Sequence, residues 1–383
     1  MFRRVLIANR GEIALRILRS LRSLGVEAVV IHGRDDRLTL PVRLADEGVF
    51  IARDDPLASY LDIEAVVSAA KEVGADAVHP GYGFLAENPA LAERLAEEGI
   101  TFIGPSPEVL RLLGDKISAR DAMVRAGLPV AQGSGKSISN EEEARTMAEN
   151  IGYPVMLKAA AGGGGKGLRR VDHPAELEEA LSQARNEAVN AFGDNRVLLE
   201  RFIEGPRHIE LQVFGDSYGN LVHLHERDCS LQRRHQKILE ESPSPFMDQE
   251  LREKMAETAL KAAGAVDYIG AGTVEFIVGK ARNYYFMEMN TRLQVEHPVT
   301  EMITGQDLVE WQFRVAAGEP LPLDQDDLVI NGHAMEARLY AEDTNAGFLP
   351  SPGPVYHLAF PPSSPNVRID TGVEAGATVS THY

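Results

Sequence analysis

The stretch Glu288-Met289-Asn290-Thr291-Arg292-Leu293-Gln294-Val295-Glu296-His297 carries more usable chemistry than any other part of the chain. It follows Tyr284-Tyr285-Phe286-Met287, an aromatic run that predicts a strand. Side chains on a strand alternate, so Glu288 and Asn290 share one face. A carboxylate and a neutral oxygen so placed suit a hard cation such as magnesium. Arg292, Gln294 and Glu296 extend the alternation and set a cation, an amide and a base along one surface.

Upstream, residues 272–278 predict the preceding strand and 279–283 a turn. With Val278 opposite Tyr285, Glu275 falls opposite Glu288. Directly opposed side chains of an antiparallel pair sit only ~5 Å apart. Two carboxylates that close repel unless a metal lies between them. A solvated hairpin with scattered charges is the plainer reading, but apolar residues surround both acids.

The chain has 383 residues, more than one core organises, so two or three domains are expected. Its 39 basic and 57 acidic residues give a formal charge of −18. Such a surface repels nucleic acid and anionic membranes, so neither is expected as a partner. The single cysteine, Cys229, rules out an internal disulfide framework and reads as a small, partly buried residue. No stretch is long and apolar enough to span a bilayer. Met1-Phe2-Arg3-Arg4 enters a strand at once with no targeting segment ahead of it, so a cytoplasmic protein is expected.

Residues 5–8 predict a buried strand, 9–12 a turn, and Ile13, Ile17, Leu18, Leu21 and Leu24 one face of a helix that Gly25 stops. With a further strand at 28–31, this is a βαβ unit and implies a parallel sheet. Only Gly11 sits in the turn where a dinucleotide fingerprint needs three glycines, so hydride transfer is disfavoured. The strand at 77–79 ends in Pro80-Gly81-Tyr82-Gly83-Phe84, with Glu87 and Asn88 at the rim. Open α/β sheets bind ligands at such carboxyl ends. A tight turn with an exposed tyrosine is a fair rival for that segment alone. Lys116 on its own reads as a surface lysine.

Ser139-Asn140-Glu141-Glu142 fits a capping box for a helix ending near Asn150. A strand at 154–158 then meets Gly162-Gly163-Gly164-Gly165-Lys166. Four consecutive glycines cost entropy to order, but they let backbone N–H groups approach a polyphosphate, with Lys158 and Lys166 supplying charge. A strand rather than a helix follows, and the Gly-Lys-Ser/Thr ending is missing, so this is not a P-loop. A mobile hairpin closing over a nucleotide fits better than a linker. A helix at 174–191 leads to a strand at 197–203, whose backbone edge could meet an adenine. A hairpin pairs 208–214 with 221–225. Residues 226–237 mix charges and end basic, reading either as a solvated loop or as an anion site. A helix at 248–263 leads back to the decisive hairpin.

Taken together, these residues resemble biotin carboxylase, the ATP-grasp subunit or domain of biotin-dependent carboxylases. The matching motifs are Ile7-Ala8-Asn9-Arg10-Gly11-Glu12-Ile13-Ala14, His79-Pro80-Gly81-Tyr82-Gly83-Phe84-Leu85-Ala86-Glu87-Asn88, Gly114-Asp115-Lys116, Lys158 with the glycine run, residues 226–237, and Glu288 to His297. They stand in the family's order and cover essentially the whole chain. The resemblance implies an α/β fold with a Rossmann-like parallel sheet over 1–113 and an ATP-grasp domain over 114–320. The mobile glycine-rich lid of that domain would span about 132–203. Residues 332–343 read as the first strand of a β-rich C-terminal subdomain over 333–383, which is expected to be incomplete because the family continues for several more elements.

The resemblance also implies roles. Lys116 and Lys158 would bind ATP phosphates, with Gly164 and Gly165 in the lid. Glu200 and Ile203 would flank the adenine, and His208, Gln232 and His235 would line the nucleotide site. Glu275, Glu288 and Asn290 would bind magnesium or manganese. Lys237, Arg292, Gln294 and Val295 would hold bicarbonate, Glu296 would be the general base, and Arg338 would meet the ureido oxygen of biotin. Implied partners are a biotin carboxyl carrier protein or domain, a carboxyltransferase subunit and a second copy in a homodimer. Pro41 departs from the family's usual histidine, and only a surface effect is expected. Two rivals remain: another ATP-grasp ligase joining a carboxylate to an amine, and a non-catalytic nucleotide-binding regulator. The first would lack the series from Arg292 to Glu296 with Arg338; the second would lose acids such as Glu275 and Glu288.

Overall fold

A computed structural model of the chain describes residues 1–51, 55–161, 167–362 and 364–382. The first sheet contains β1 (Arg4–Ile7), β2 (Glu27–His32), β3 (Glu47–Phe50), β4 (Ala77–His79) and β5 (Thr101–Phe102). Its order is β3-β2-β1-β4-β5 and every pairing is parallel, as the βαβ pattern predicts. Val5, Leu6 and Ile7 are buried on both faces, as a central parallel strand requires. The helix Gly11–Leu24 buries Ile13, Ile17, Leu18 and Leu21 and ends at Gly25 in the left-handed region. That apolar stripe shares one core with Trp311 and Phe313 of the helix Leu308–Ala316. The first sheet is therefore packed directly onto the later part of the chain.

A second sheet holds β6 (Val155–Ala159), β7 (Leu168–Val171) and β8 (Val197–Arg201), antiparallel in the order β7-β6-β8. The helices Glu141–Ile151 and Leu177–Phe192 share a core with it. The capping box sits one residue later than expected: Asn140 accepts from the Glu143 amide, while Glu143 reaches back to the Ser139 amide.

The third sheet is six-stranded: β9 (Arg207–Gly215), β10 (Leu221–Arg233), β11 (Gln236–Ser242), β12 (Gly270–Val278), β13 (Tyr284–Asn290) and β14 (Ala334–Ala337), ordered β13-β12-β9-β10-β11-β14. The helix Gln249–Gly264 packs its apolar side into a core with Ile209, Leu211 and Val213 of β9. Three expectations change here. Residues 226–237 form strands rather than a loop, because their charges are neutralised inside: Arg227 is fully buried and bonds Glu210, Gln212, Thr273 and Thr300. The strand expected over 332–343 shortens to β14, which joins this sheet beside β11. Pro41 is buried in the short helix Leu40–Leu44, not on the surface.

Candidate active site

The two acids of the decisive hairpin do lie opposite one another, Glu275 against Glu288. The route differs from the expected one. Val278 opposes Tyr284, not Tyr285, and the register shifts between Phe276 and Glu275, so Met287 is an extra bulged residue. The chain leaves strand geometry after Asn290, so Arg292, Gln294 and Glu296 do not ride on one strand face. An irregular segment carries them instead, and it ends where Glu296 precedes the helix His297–Thr304.

Even so, these groups converge. One cavity of about 670 Å³ is lined by Lys116, Lys158, Glu200, His208, Gln232, His235, Lys237, Glu275, Glu288, Asn290, Arg292, Gln294, Val295, Glu296 and Arg338. The loop after β4 adds Tyr82, Gly83 and Glu87. Ile203 lies elsewhere, in a neighbouring cleft with Tyr153, Phe202 and Lys280. Gly164 and Gly165 fall outside the described residues; the rest of the expected lid segment, over about 132–203, is the second sheet with its two helices.

Lys237 is the electrostatic centre. Its Nζ lies 2.5 Å from Glu210, 2.8 Å from Glu275 and 2.6 Å from Glu296. Burial pushes Lys237 toward neutrality, but the three carboxylates outweigh it and hold its pKa well above the ordinary lysine value. Glu296 is fully buried, which alone would raise its pKa. Lys237, Arg338 and Arg227 overcome that and keep it ionised well below the usual carboxylate range. Glu275 behaves likewise: burial raises it, and Lys237 and His208 pull it far down. Glu210 goes the other way, since burial and the nearby Glu296 outweigh Lys237 and Arg227. His208, 2.8 Å from Glu275, is partly buried; desolvation lowers its pKa, yet that carboxylate outweighs it and raises the value. Gln232 donates to His208 Nδ1 at 3.0 Å and so fixes the ring.

The remaining cations are paired too. Lys116 meets Glu288 at 2.7 Å and Lys158 meets Glu200 at 2.5 Å. Arg338 spans Glu240 at 2.6 Å and Glu296 at 2.8 Å. Arg292 is held by Glu87 at 3.0 Å and by the Asn290 oxygen at 3.1 Å. The amide of Asn290 donates to Glu275 at 2.8 Å. His235 shares the β10–β11 turn with Arg234, and both take a left-handed backbone that non-glycine residues adopt only at a cost.

Could the acids hold a metal? Glu275 and Glu288 offer hard oxygen donors from facing strands, which suits magnesium or manganese. Among the described residues, His208, Glu210 and Glu275 also bring donor atoms within 4.8 Å of one another. Glu288 is bound to Lys116 instead, and the Asn290 oxygen is engaged by Arg292. The donor chemistry fits; in this arrangement lysine ammonium groups neutralise the acids.

Two contributors carry no clear mark in the sequence. Its pattern puts Glu87 at the rim with no role, yet this residue anchors Arg292 and accepts from the Thr291 amide. Glu210 is absent from the expected set, although His208, Glu210 and Gln212 alternate along β9 and that period is readable. Cys229 is wholly buried, with Sγ 4.0 Å from Glu296. Burial raises its thiol pKa well above normal, so it is a poor nucleophile.

Three known domain families match the chain. The biotin carboxylase N-terminal domain family matches residues 1–110, and the biotin carboxylase C-terminal domain family matches 336–383. Between them, the ATP-binding domain of the carbamoyl-phosphate synthase L chain matches 115–324. The mitochondrial methylcrotonoyl-CoA carboxylase subunit alpha of Rattus norvegicus is 52% identical over 380 residues, covering 99% of this chain and 53% of that protein. The chain thus spans about half the length of that relative. Biotin carboxylase of Nostoc sp. is 51% identical over 382 residues, covering 100% of this chain and 85% of that protein. The biotin carboxylase domain dimer of Hydrogenobacter thermophilus 2-oxoglutarate carboxylase, solved with MgADP, ADP and bicarbonate, superposes with a TM-score of 0.97 at 48% identity. That match covers 100% of this chain and 84% of the solved one.

Proposed function

The chain belongs to the biotin carboxylase family, and we propose that it catalyses the ATP- and bicarbonate-dependent carboxylation of biotin borne on a carrier protein or domain. The observation that carries this reading is Glu296: an ionised, fully buried carboxylate clasped by Lys237 and Arg338 in one cavity with Arg292 and Gln294.

The steps follow from these groups. Lys237, Arg292, Gln294 and Val295 hold bicarbonate, a poor electrophile that must be activated. Glu296 takes its proton, and the resulting oxyanion attacks the γ-phosphorus of ATP, releasing ADP and forming carboxyphosphate. Lys116 and Lys158 exchange their carboxylate partners for phosphate oxygens and offset charge on the transferring group. Glu200 flanks the adenine, while His208, Gln232 and His235 line the nucleotide side. Carboxyphosphate then splits into CO2 and phosphate. The phosphate takes the proton of the biotin urea nitrogen, which attacks CO2, while Arg338 faces the ureido oxygen as negative charge grows there. An arginine suits that task because it keeps its charge and presents several donors.

Glu296 gains basicity along this path. Its affinity for a proton is low while Lys237 and Arg338 both bind it. Each partner that turns toward substrate removes an opposing charge and raises that affinity. Glu275, Glu288 and Asn290 are the residues that would hold magnesium or manganese once Lys116 releases Glu288; a bound divalent ion supplies charge neutralisation at the phosphates.

A carboxyltransferase subunit and a second copy of this chain complete the proposed partners; the Hydrogenobacter relative was solved as a dimer. A reducing, cytoplasmic compartment belongs to the same reading, since the one cysteine is free and buried. A carboxylate–amine ligase would not need Arg338 opposite Glu296, and that pairing favours the biotin reading.

The test is ADP release with free biotin, with and without bicarbonate. Glu296→Ala and Arg292→Ala should each lower turnover about 100-fold or more, the typical cost of a lost charge-stabilising group, with an unchanged circular dichroism spectrum. Full bicarbonate-dependent turnover in either folded variant would refute the assignment.

A further inference from the structure

Besides Glu296, Arg338 is held by Glu240, one of a carboxyl pair that the steps of the proposed reaction do not use. Its Nε donates to Glu240 at 2.7 Å, and a second guanidinium nitrogen reaches Glu296 at 2.8 Å. Glu240 on β11 lies directly opposite Glu336 on β14. Opposed side chains in such a ladder are only ~5 Å apart. Glu240 is fully buried, and Oε2 of Glu240 and Oε2 of Glu336 are both buried without a hydrogen-bond partner. Buried polar oxygens are rarely left so, and an orphaned pair on facing residues calls for a proton between them.

The surrounding charges sharpen the point. Glu240 faces Arg338, Glu296 and, from β9, Glu210. Glu336 faces Glu240, Glu296, Arg338 and, from the C-terminal segment, Asp370. The helix His297–Thr304, which packs against both strands, adds His297 and Glu301, the latter held by Arg16 and Arg368. Arg338 is the one cation close to the pair among these groups, and Glu296 already shares it.

We propose that Glu240 and Glu336 are positioning residues for Arg338 and hold one proton between them. Burial first, and then like charge, raises Glu240 to about 7 and Glu336 to about 8, so the pair keeps that proton at neutral pH. Sharing it leaves the pair with one negative charge, enough to aim the guanidinium without trapping it. Loss of the proton puts a second negative charge beside Arg338 and holds it back from the ureido oxygen. This function of the pair rests on the biotin reading above; the shared proton itself does not.

The test uses the full chain, Glu336→Gln and Glu240→Gln, followed from about pH 6.5 to about pH 9.5. In the unchanged chain, biotin-dependent turnover should fall on the alkaline side. A carboxamide on β14 cannot ionise and donates permanently to Glu240, so Glu336→Gln should move that limb up by at least about one pH unit or abolish it. Glu240→Gln should raise KM for biotin about tenfold by freeing the guanidinium. A limb at the same pH in Glu336→Gln would overturn the proposal. Infrared spectra give an arm independent of activity: a protonated-carboxyl band should vanish near pH 8 in the unchanged chain and be missing from both variants. Persistence of that band in either variant overturns the shared proton. Absence of any bicarbonate-dependent turnover in the unchanged chain would instead sink the functional reading and leave the band to decide the proton.

Discussion

Lys237 shows how one side chain sets the charge state of a site. Its ammonium lies against Glu210, Glu275 and Glu296 at once. Replacing it with Met leaves those carboxylates short of a cation, and breaking a buried ion cluster typically costs ~3–5 kcal/mol. The sign with pH is set by the carboxylates. In the intact chain Glu275 and Glu296 have depressed pKa values, so their contribution is present above ~4.3, the unfolded value, and fades as pH falls through the folded values. In Lys237→Met the same acids lose that depression and rise, so the native state binds more protons than the unfolded chain near pH 5. Urea midpoints should therefore show a smaller gap between variant and unchanged chain at about pH 5 than at about pH 7; an equal gap would contradict this account. Glu87 tests positioning rather than charge. It is 42% exposed, so Glu87→Gln should leave stability within about 0.5 kcal/mol. It should also raise KM for bicarbonate about fivefold by loosening Arg292, measured in the ADP-release assay.

The loop after β4 delivers Tyr82 and Gly83 to the cavity, and its shape is fixed from beneath. Asn9 donates to the carbonyl oxygens of Pro80 and Tyr82 at 2.7 and 2.8 Å. His79 accepts from the Gly81 amide at 3.0 Å, and its burial depresses its pKa to about 3, so it stays a neutral acceptor. Gly81 and Gly83 both have left-handed φ, 66° and 67°, but an added Cβ at Gly81 would meet Asn9 Nδ2 at 2.9 Å while one at Gly83 meets nothing within 4 Å. Gly83→Ala should thus cost only the ~1 kcal/mol of backbone strain. Gly81→Ala should cost more and raise KM for biotin, as thermal unfolding and steady-state kinetics would show; equal effects would mean that the Asn9 contact is irrelevant. The expected pairing of Glu275 with Glu288 comes out right only because a bulge offsets a turn register read one residue off. At this scale the sequence is informative wherever a periodic pattern meets a glycine: the helix Gly11–Leu24 and the first sheet are both readable. The bulge at Met287 is not, because an extra residue leaves no mark on alternation when aromatics precede it. Residues 226–237 resist a local reading because Arg227 and Glu226 look solvent-facing until their partners are known. Those partners, Glu210 and Arg252, stand 17 and 26 residues away, beyond any local pattern. Glu87 and Arg292, 205 residues apart, pose the same problem at longer range.

Across the whole molecule, the first sheet and the catalytic segment are tied by an ion network remote from the cavity. Arg16, only 5% exposed on the helix Gly11–Leu24, binds Glu301 and Asp307, each at 2.7 Å. Glu301 also binds Arg368 at 2.5 Å, and Arg368 binds Asp370 at 2.7 Å. Glu301 sits on the helix His297–Thr304, which begins immediately after Glu296. The base is thus braced by a helix whose other end is anchored to the N-terminal sheet and the C-terminal segment together. Arg16→Gln removes the shared cation and leaves Glu301 and Asp307 competing for fewer donors, a loss of ~3 kcal/mol because Arg16 and Glu301 are buried. Arg3→Gln is the matched control: its partner is Asp76, but Arg3 is 89% exposed, and such a pair contributes less than about 1 kcal/mol. If the network only stabilises, Arg16→Gln should lower the unfolding midpoint while kcat well below it is unchanged. If it also braces the base, kcat should fall severalfold with KM for ATP unaffected, since Lys116 and Lys158 lie on other elements. The second outcome is expected, because the helix that the network holds starts at the residue following the base.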